Sequence, residues 1–315
     1  MESFNNSPAR AAVVPNEQNG LVDNARVWGY YVNNSEPTLV WGNATAGEKA
    51  NLKIKTDENN NLTGGLIING NTKYWTDGTY YFFSIYSEEC INGALEPTFS
   101  DGTLSFDYDI SDPKELRYAC HLNTKGTTIR TDEVDFNYQH LLTKIKFQGF
   151  STDASNPITV TKVEISSIPQ KATVSLDIAG ATKDTKSLTA TYAKVGTSTG
   201  LTTENSSGWV CDKDKGHVVF EKMVFPQSVI ATTANPEGQT IPDGAVKFTV
   251  TYNTSSEPGK TKSAFLPSST WEAGKSYLYK FYIQPSGPII FGNTVTVKGW
   301  DSKDNETEFD FPTEP

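Results

Sequence analysis

Metal-site residues are scarce in this chain, and so are the ingredients of long helices and of basic surfaces. Three cysteines (Cys90, Cys120, Cys211) and three histidines (His121, His140, His217) are spread along 315 residues. No two cysteines form a C-x-x-C pair and the histidines show no ligand spacing, so neither a zinc site nor any other metal or cofactor is expected. The 27 basic residues are outnumbered by 37 acidic ones, for a net charge of −10. Nucleic acid is thereby excluded as a partner, because phosphate binding needs a basic face. No run approaches the ~20 apolar residues of a membrane-spanning helix. Met occurs only at Met1 and Met223. No window carries Ala, Leu, Glu, Lys and Arg at a 3.6-residue period, so long helices are not expected. The opening Met1-Glu2-Ser3-Phe4 lacks the charged, apolar and small-residue regions of a signal peptide. Read literally that means cytoplasm, although a Met fused to an already trimmed export substrate would begin in the same way. In an exported protein Cys90 and Cys120 could pair, the odd count leaving one thiol free; three buried thiols are the other reading.

What is abundant is β-forming. The chain has 14 Tyr, 16 Phe, 6 Trp and 38 Thr, with Asn, Ser and Gly plentiful. Aromatic and β-branched residues suit pleated surfaces, Asn, Gly and Ser suit turns, and this aromatic content requires a real core. Residues 1–26 read as a loose polar arm. Strand-like runs then follow to the end, including Val27–Val32, Leu39–Trp41, Gly65–Ile68, Leu104–Tyr108, Leu141–Phe150, Ile158–Ile168 and Ala245–Tyr252. Thr79–Tyr86 is apolar or aromatic on both faces, as a covered strand would be. In Ser276–Gln284, Tyr277, Tyr279, Phe281 and Ile283 share one face, predicting a strand buried on that side. Asp112–Arg117, with an acidic cap and Pro113, predicts one or two helical turns. Many short strands without intervening helices predict an all-β protein of two antiparallel sandwiches. The polar stretch 123–132 is the expected seam, giving an N-terminal domain over 1–132 and a C-terminal domain over 133–315.

Chemical motifs fail on context. Gly196-Thr197-Ser198-Thr199-Gly200 spells a nucleophile elbow, but Leu201–Asn205 is poor helix material where a helix must follow. Ala273-Gly274-Lys275-Ser276 spells the end of a phosphate loop, yet position 269 is Ser269 and a strand follows. Glu88-Glu89, Asp132-Glu133 and the acidic residues of 301–308 are expected to be solvated loop charges; 301–306 lacks the glycine of a calcium loop. His140, after Phe136 and Tyr138, is expected to be packed and hydrogen-bonded. The sequons at Asn33, Asn43 and Asn61 follow from Asn and Thr richness. Trp28, Tyr30, Tyr31, Trp41 and Trp75 could stack on sugars or form the first core. No convergent catalytic set is present, so the chain is not expected to be an enzyme.

Three stretches together resemble the fimbrillin family of Bacteroidales, the stalk and accessory subunits of type V pili. The first is Tyr74-Trp75-Thr76-Asp77-Gly78 running into Thr79–Phe83. The second joins Glu115-Leu116-Arg117-Tyr118-Ala119 to Val134–Phe147, similar to the family's "Leu-x-Tyr-Ala … Phe-x-His-Leu-x-x-Lys" passage. The third is Trp271–Tyr277 followed by Ile289-Ile290-Phe291 and Val297-Lys298-Gly299-Trp300-Asp301. Their order and spacing cover the chain from about residue 70 to 301. The resemblance implies transthyretin-like sandwiches and a structural or adhesive subunit of cell-surface fimbriae. It also implies export to the outer membrane as a lipoprotein, an Arg-specific maturation cut and β-strand exchange with other fimbrial subunits. A host or bacterial surface ligand would be a further partner, and the membrane would be met only through a lipid anchor on the precursor. The family's signal peptide and lipidated cysteine are not found in this sequence. Arg10-Ala11 lies where the cut would fall, with Arg26 as a second option. The alternating Thr307, Phe309 and Phe311 are a candidate donor strand, or else an edge strand completing the second sandwich. The alternative function is a surface glycan-binding lipoprotein using exposed aromatics.

Overall fold

A computed structural model describes residues 2–3, 21–22, 25–33, 36–41, 48–49, 51–56, 62–67, 74–75, 78–87, 95–110, 115–123, 135–178, 188–238, 240–284, 287–299 and 307–310. Among these residues every regular element is a strand. The first are β1 (Glu2–Ser3), β2 (Leu21–Val22), β3 (Ala25–Asn33), β4 (Glu36–Trp41), β5 (Glu48–Lys49), β6 (Asn51–Thr56) and β7 (Leu62–Ile67). Then come β8 (Tyr74–Trp75), β9 (Thr79–Tyr86), β10 (Thr98–Ser100), β11 (Thr103–Asp109), β12 (Arg117–Asn123) and β13 (Asp135–His140). The next are β14 (Thr143–Ser151), β15 (Ile158–Ile168), β16 (Lys171–Asp177), β17 (Ala190–Val195), β18 (Thr199–Cys211) and β19 (His217–Val224). The last are β20 (Gln227–Val229), β21 (Lys247–Asn253), β22 (Lys260–Phe265), β23 (Ser269–Trp271), β24 (Lys275–Ile283), β25 (Ile289–Gly299) and β26 (Thr307–Asp310). The helical turn expected over Asp112–Arg117 is not formed where it is described: Glu115 and Leu116 are irregular and Arg117 opens β12. Pairing of Arg117 with Tyr86 and His140 outweighs local helix propensity there.

The chain forms two compact units. The first comprises Met1–Tyr108, Lys114–Leu141 and Ala172–Ala193; the second comprises Asp109–Pro113, Leu142–Lys171 and Lys194–Pro315. The boundary expected near 132 lies outside the described residues, and the units are not consecutive stretches. β13 stays in the first unit because it pairs with β7 and β12. β16 and much of β17 return to it because they continue the sheet begun by β10 and β11.

In the first unit a nine-stranded sheet runs β2-β6-β7-β13-β12-β9-β3-β4, with β5 added on β3, and a four-stranded sheet runs β10-β11-β16-β17. β9 is covered on both faces: Tyr80, Phe82, Phe83, Ser84 and Ile85 are all buried. Phe99 of β10 meets Tyr30 at 4.9 Å and Phe83 at 5.4 Å between ring centres, so the two sheets close over one aromatic layer.

In the second unit a five-stranded sheet runs β19-β14-β24-β25-β26, and a four-stranded sheet runs β18-β15-β21-β22. One pairing departs from the antiparallel expectation: β14 and β24 are parallel, with Phe147 opposite Tyr279. The long chain between them permits the crossover that a parallel pair needs. β14 alternates strictly, burying Thr143, Ile145, Phe147, Gly149 and Ser151. β24 buries Tyr277, Tyr279, Phe281 and Ile283 on one face, as its alternation predicts. Phe147 meets Phe248 of β21 at 4.7 Å and Tyr279 at 5.5 Å, and Phe248 meets Phe281 at 4.8 Å. A Cβ at Gly149 would stand 2.8 Å from the Phe281 ring, so glycine is required for that approach. β15 keeps Val160 and Val163 both inward because the register shifts between Val160 and Lys162, where a bulge inserts one residue.

Candidate functional site

The resemblance directs attention to the strands near the chain ends. β1 pairs with β8, Glu2 opposite Trp75, and β2 forms one end of the nine-stranded sheet by pairing with β6, Leu21 opposite Lys53. Arg10 and Ala11 lie outside the described residues. Arg26, the second option for cleavage, is buried in β3, opposite Ile85 on one side and Lys49 on the other. A protease binds an extended, accessible segment, so cutting after Arg26 would require β3 to leave the sheet. At the other end, β26 is the edge of the five-stranded sheet. Thr307 stands opposite Val297 and Phe309 opposite Val295, both of them buried. Phe311 lies outside the described residues. Within a single chain this segment therefore completes its own sheet.

The stretches that carried the resemblance act as latches. Leu116 is buried, and its carbonyl accepts the Leu141 amide at 3.0 Å. The Tyr118 hydroxyl donates to the Leu188 carbonyl at 2.9 Å and accepts the Leu188 amide at 2.7 Å, holding the chain as it enters β17. Tyr192 adds a bond to the Leu141 carbonyl at 2.8 Å, a role that no motif signalled. Glu115 joins Arg117 (Nε to Oε1 2.6 Å), and its Oε1 lies 3.2 Å from His140 Nδ1, so His140 is packed against the same carboxylate. In the second unit the buried Trp271 donates through Nε1 to the Tyr279 hydroxyl at 2.7 Å, and Ser269 shares that hydroxyl at 2.6 Å. The following turn is tied down twice. The Gly274 amide donates to the Leu142 carbonyl at 2.9 Å, and the Thr143 hydroxyl donates to the Glu272 carbonyl at 2.8 Å. Gly274 has φ +71°, a conformation that glycine adopts without strain.

Residues 15–300 match the model of the fimbrillin-like family. The chain belongs to the fimbrillin-like family. No curated protein matches it. Among solved structures it is similar to a fimbrial assembly protein from Parabacteroides distasonis, with 11% identity, 96% of each chain covered and a TM-score of 0.41. It is also similar to the C-terminally truncated tip fimbrial protein Mfa3 from Porphyromonas gingivalis. There the identity is 10%, 89% of this chain and 97% of that chain are covered, and the TM-score is 0.35. Both likenesses are remote, and the family match alone carries the assignment.

The other candidate residues of this fimbrillin-like protein sit in structural roles. Ser198 lies between β17 and β18, a strand-turn-strand passage in place of the strand-turn-helix of a nucleophile elbow. Lys275 opens β24, again a strand where a phosphate loop needs a helix. Trp28 and Tyr30 are buried in the first core, where they cannot stack on a sugar, and Tyr31 rests on Tyr80 at 5.1 Å between ring centres. The side chains of Trp41 and Trp75 lie outside the description, as do Cys90, Asn43, Asn61 and the acidic residues of 301–306. Asn33 ends β3. Cys120 and Cys211 are free and buried, and burial pushes each thiol up to about 11, which leaves them neutral and unreactive near pH 7. Among the described residues no group of three His, Cys, Asp or Glu is placed to hold a metal ion. No described helix is long and apolar enough to cross a membrane.

Proposed function

We propose that this protein is a structural or adhesive subunit of cell-surface fimbriae, matured by an Arg-specific cut after Arg10 and assembled by exchanging a β-strand with neighbouring subunits. The match to the fimbrillin-like family over 15–300 carries the reading. The arrangement of the chain ends supports it. A cut after Arg10 would detach β1 and free β8 from that partner. An exposed strand edge presents unpaired amides and carbonyls that a strand from another chain can satisfy. Among the described residues the four-residue β26 pairs with β25 and ends its sheet; it contains Thr307 and Phe309, and Phe311 continues their alternation in the sequence. The protein acts without a reaction centre, and its partners are subunits of the same or related type. In this reading the precursor is exported with a lipid anchor and the mature subunit resides in the fimbrium at the outer membrane.

The test is to trim the chain with an Arg-specific protease, read the new N-terminus and image the product. The expected outcome is a terminus at Ala11 followed by filaments, both abolished by Arg10→Ala. A terminus at Val27 would transfer the role to Arg26. Filaments that form equally well from Arg10→Ala without cleavage would overturn the maturation step.

A further inference from the structure

Among the described residues the exposed large hydrophobics are Val195, Val210, Val218, Ile230 and Ile290, and all five belong to the second unit. Two of them lie on the outer face of the five-stranded sheet. β14 turns Ile145, Phe147 and Gly149 inward, so Lys144, Lys146, Gln148 and Phe150 face outward. Register carries that face across the neighbouring strands: Val218 of β19 stands opposite Gln148, Tyr282 of β24 opposite Phe150, and Ile290 of β25 opposite Tyr282. Val218 is 41% exposed and Ile290 47%, with Phe150 and Tyr282 half-buried between them. Four adjacent strands thus present an apolar band roughly 15 Å wide. At the other end of the face Ser276 and Thr296 are buried, so the open surface is the end that carries this band. A contiguous apolar patch on an otherwise polar surface marks a contact site.

We propose that this face pairs with the same face of a second copy of the chain. The Phe150 and Tyr282 rings lie 5.1 Å apart and 22° from parallel, and Gly216 backs Phe150 so closely that a Cβ there would enter the ring. The ring faces are therefore turned along the sheet, and the surface offers ring edges and methyl groups. A sugar stacks on an open ring face, whereas apolar side chains of another protein pack on edges and methyls. Among the described residues the large exposed apolar groups all lie in the second unit, so the matching surface is the second unit of another copy. Charge favours this face for the meeting of two chains that each carry −10: Lys144, Lys146 and Lys280 stand on it with one outward glutamate, Glu221. The match is self-complementary about a two-fold axis that runs along β14 and β24 and between them. Such an axis sets Phe150 of one copy against Tyr282 of the other and brings the β19 side, with Val218, to the β25 side, with Ile290. Lys280 then falls opposite Gln148 and Lys146 opposite Leu278, so no lysine meets another. The contact joins copies without passing a strand, and so goes beyond the strand exchange proposed above.

Sedimentation of the full chain carrying Arg10→Ala tests the pairing with the proposed maturation cut blocked. A monomer–dimer equilibrium is expected between about 5 and 500 µM, the range of a small interface. Ile290→Lys is expected to weaken it at least about 10-fold, because each dimer contains that junction twice. Val210→Lys, at an exposed valine of β18 in the other sheet, is expected to leave it unchanged. Val218→Glu should weaken pairing as well, and mixing it with Ile290→Lys should restore a heterodimer by joining the two new charges across the axis. All three substituted side chains are exposed, and an unchanged urea midpoint confirms the fold. A chain that stays monomeric throughout overturns the proposal, and so do equal effects of Ile290→Lys and Val210→Lys. Mixing that restores nothing overturns the two-fold arrangement. Retention on a polysaccharide gel that Ile290→Lys abolishes, with the chain monomeric, gives the face to a glycan instead. Filament formation by the trimmed wild-type chain is read separately. Filaments without dimers of the uncut chain keep strand exchange and sink the pairing, and dimers without filaments do the reverse.

Discussion

Among the described residues, the buried polar residues of the first unit include two arginines, Arg26 and Arg117, with Ser84 and Ser87; those of the second are hydroxyls, Thr143, Ser151, Ser276 and Thr296. A hydroxyl is satisfied by one or two backbone carbonyls. Thr143 donates to Glu272, and the Ser151 hydroxyl lies 3.1 and 3.0 Å from the carbonyls of Asp153 and Asn156. A buried guanidinium needs a counter-charge, and Glu115 supplies it to Arg117. The second unit should accordingly be sensitive mainly to lost volume, and the first also to lost charge. The largest expected effect tests the volume side. Phe147 is fully buried and touches the rings of Phe220, Phe248 and Tyr279. Phe147→Ala should destabilise the second unit by about 3–5 kcal/mol, measured as a fall in urea midpoint. A loss below about 1 kcal/mol would mean that this aromatic layer is not the core.

Glu115→Gln tests the charge side. The change keeps the shape and leaves Arg117 and His140 without the carboxylate they share. Breaking a fully buried pair costs about 3–5 kcal/mol; Glu115 is 30% exposed, so about 2 kcal/mol is the expected loss, read from the unfolding of the first unit. Lys162→Gln, at an ion pair open to solvent in the second unit, is the control and should leave the urea midpoint of that unit unchanged. Equal losses at the two sites would dissolve the contrast.

The same contrast shows what could be read from residues alone. The alternation of β24 is written directly in Tyr277, Tyr279, Phe281 and Ile283, because only one of its faces is buried. The two-sided burial of β9 was equally legible, since Thr79–Tyr86 has almost no polar residue to expose. Strand order was not. Nothing near β14 signals that β24 lies parallel beside it, and nothing in 172–193 signals a return to the first unit, because pairing between distant strands depends on face and register. The bulge in β15 breaks the alternation at Thr161, a residue no different in type from its neighbour Thr159. At the candidate site, Thr307 and Phe309 could be picked out by alternation, whereas their places opposite Val297 and Val295 could not, since those depend on cross-strand register.

Alkaline pH should act on both units alike, which bounds the contrast from the other side. Burial raises Tyr118 and Tyr279 from 10.0 to about 12 and Cys120 and Cys211 from 9.0 to about 11. Each unit holds one of these phenols and one of these thiols. Because the folded values lie above the unfolded ones, the stabilisation is fully present below about pH 9. It is lost as pH rises through the folded values near 11 and 12. At pH 10 each unit should have lost about 2 kcal/mol, mostly from its thiol. An unfolding midpoint that is flat from pH 8 to 11 would show that these groups are open to water.

The smallest effect concerns a buried network of the second unit in which side chains satisfy each other. Tyr279→Phe keeps the ring that packs on Phe147 and removes the hydroxyl that accepts from the Trp271 indole and meets Ser269. Ser269 is half-exposed and can turn to water, whereas Trp271 is buried and would keep an unpaired Nε1–H. A single orphaned neutral donor costs about 1 kcal/mol or a little more, less than the charged pair at Glu115. If the indole is what makes the loss, Trp271→Phe in the Tyr279→Phe background should recover the polar part and leave only the cost of a smaller ring. Non-additivity of the two substitutions in urea denaturation is the expected signature, and simple additivity would show that the bond contributes nothing.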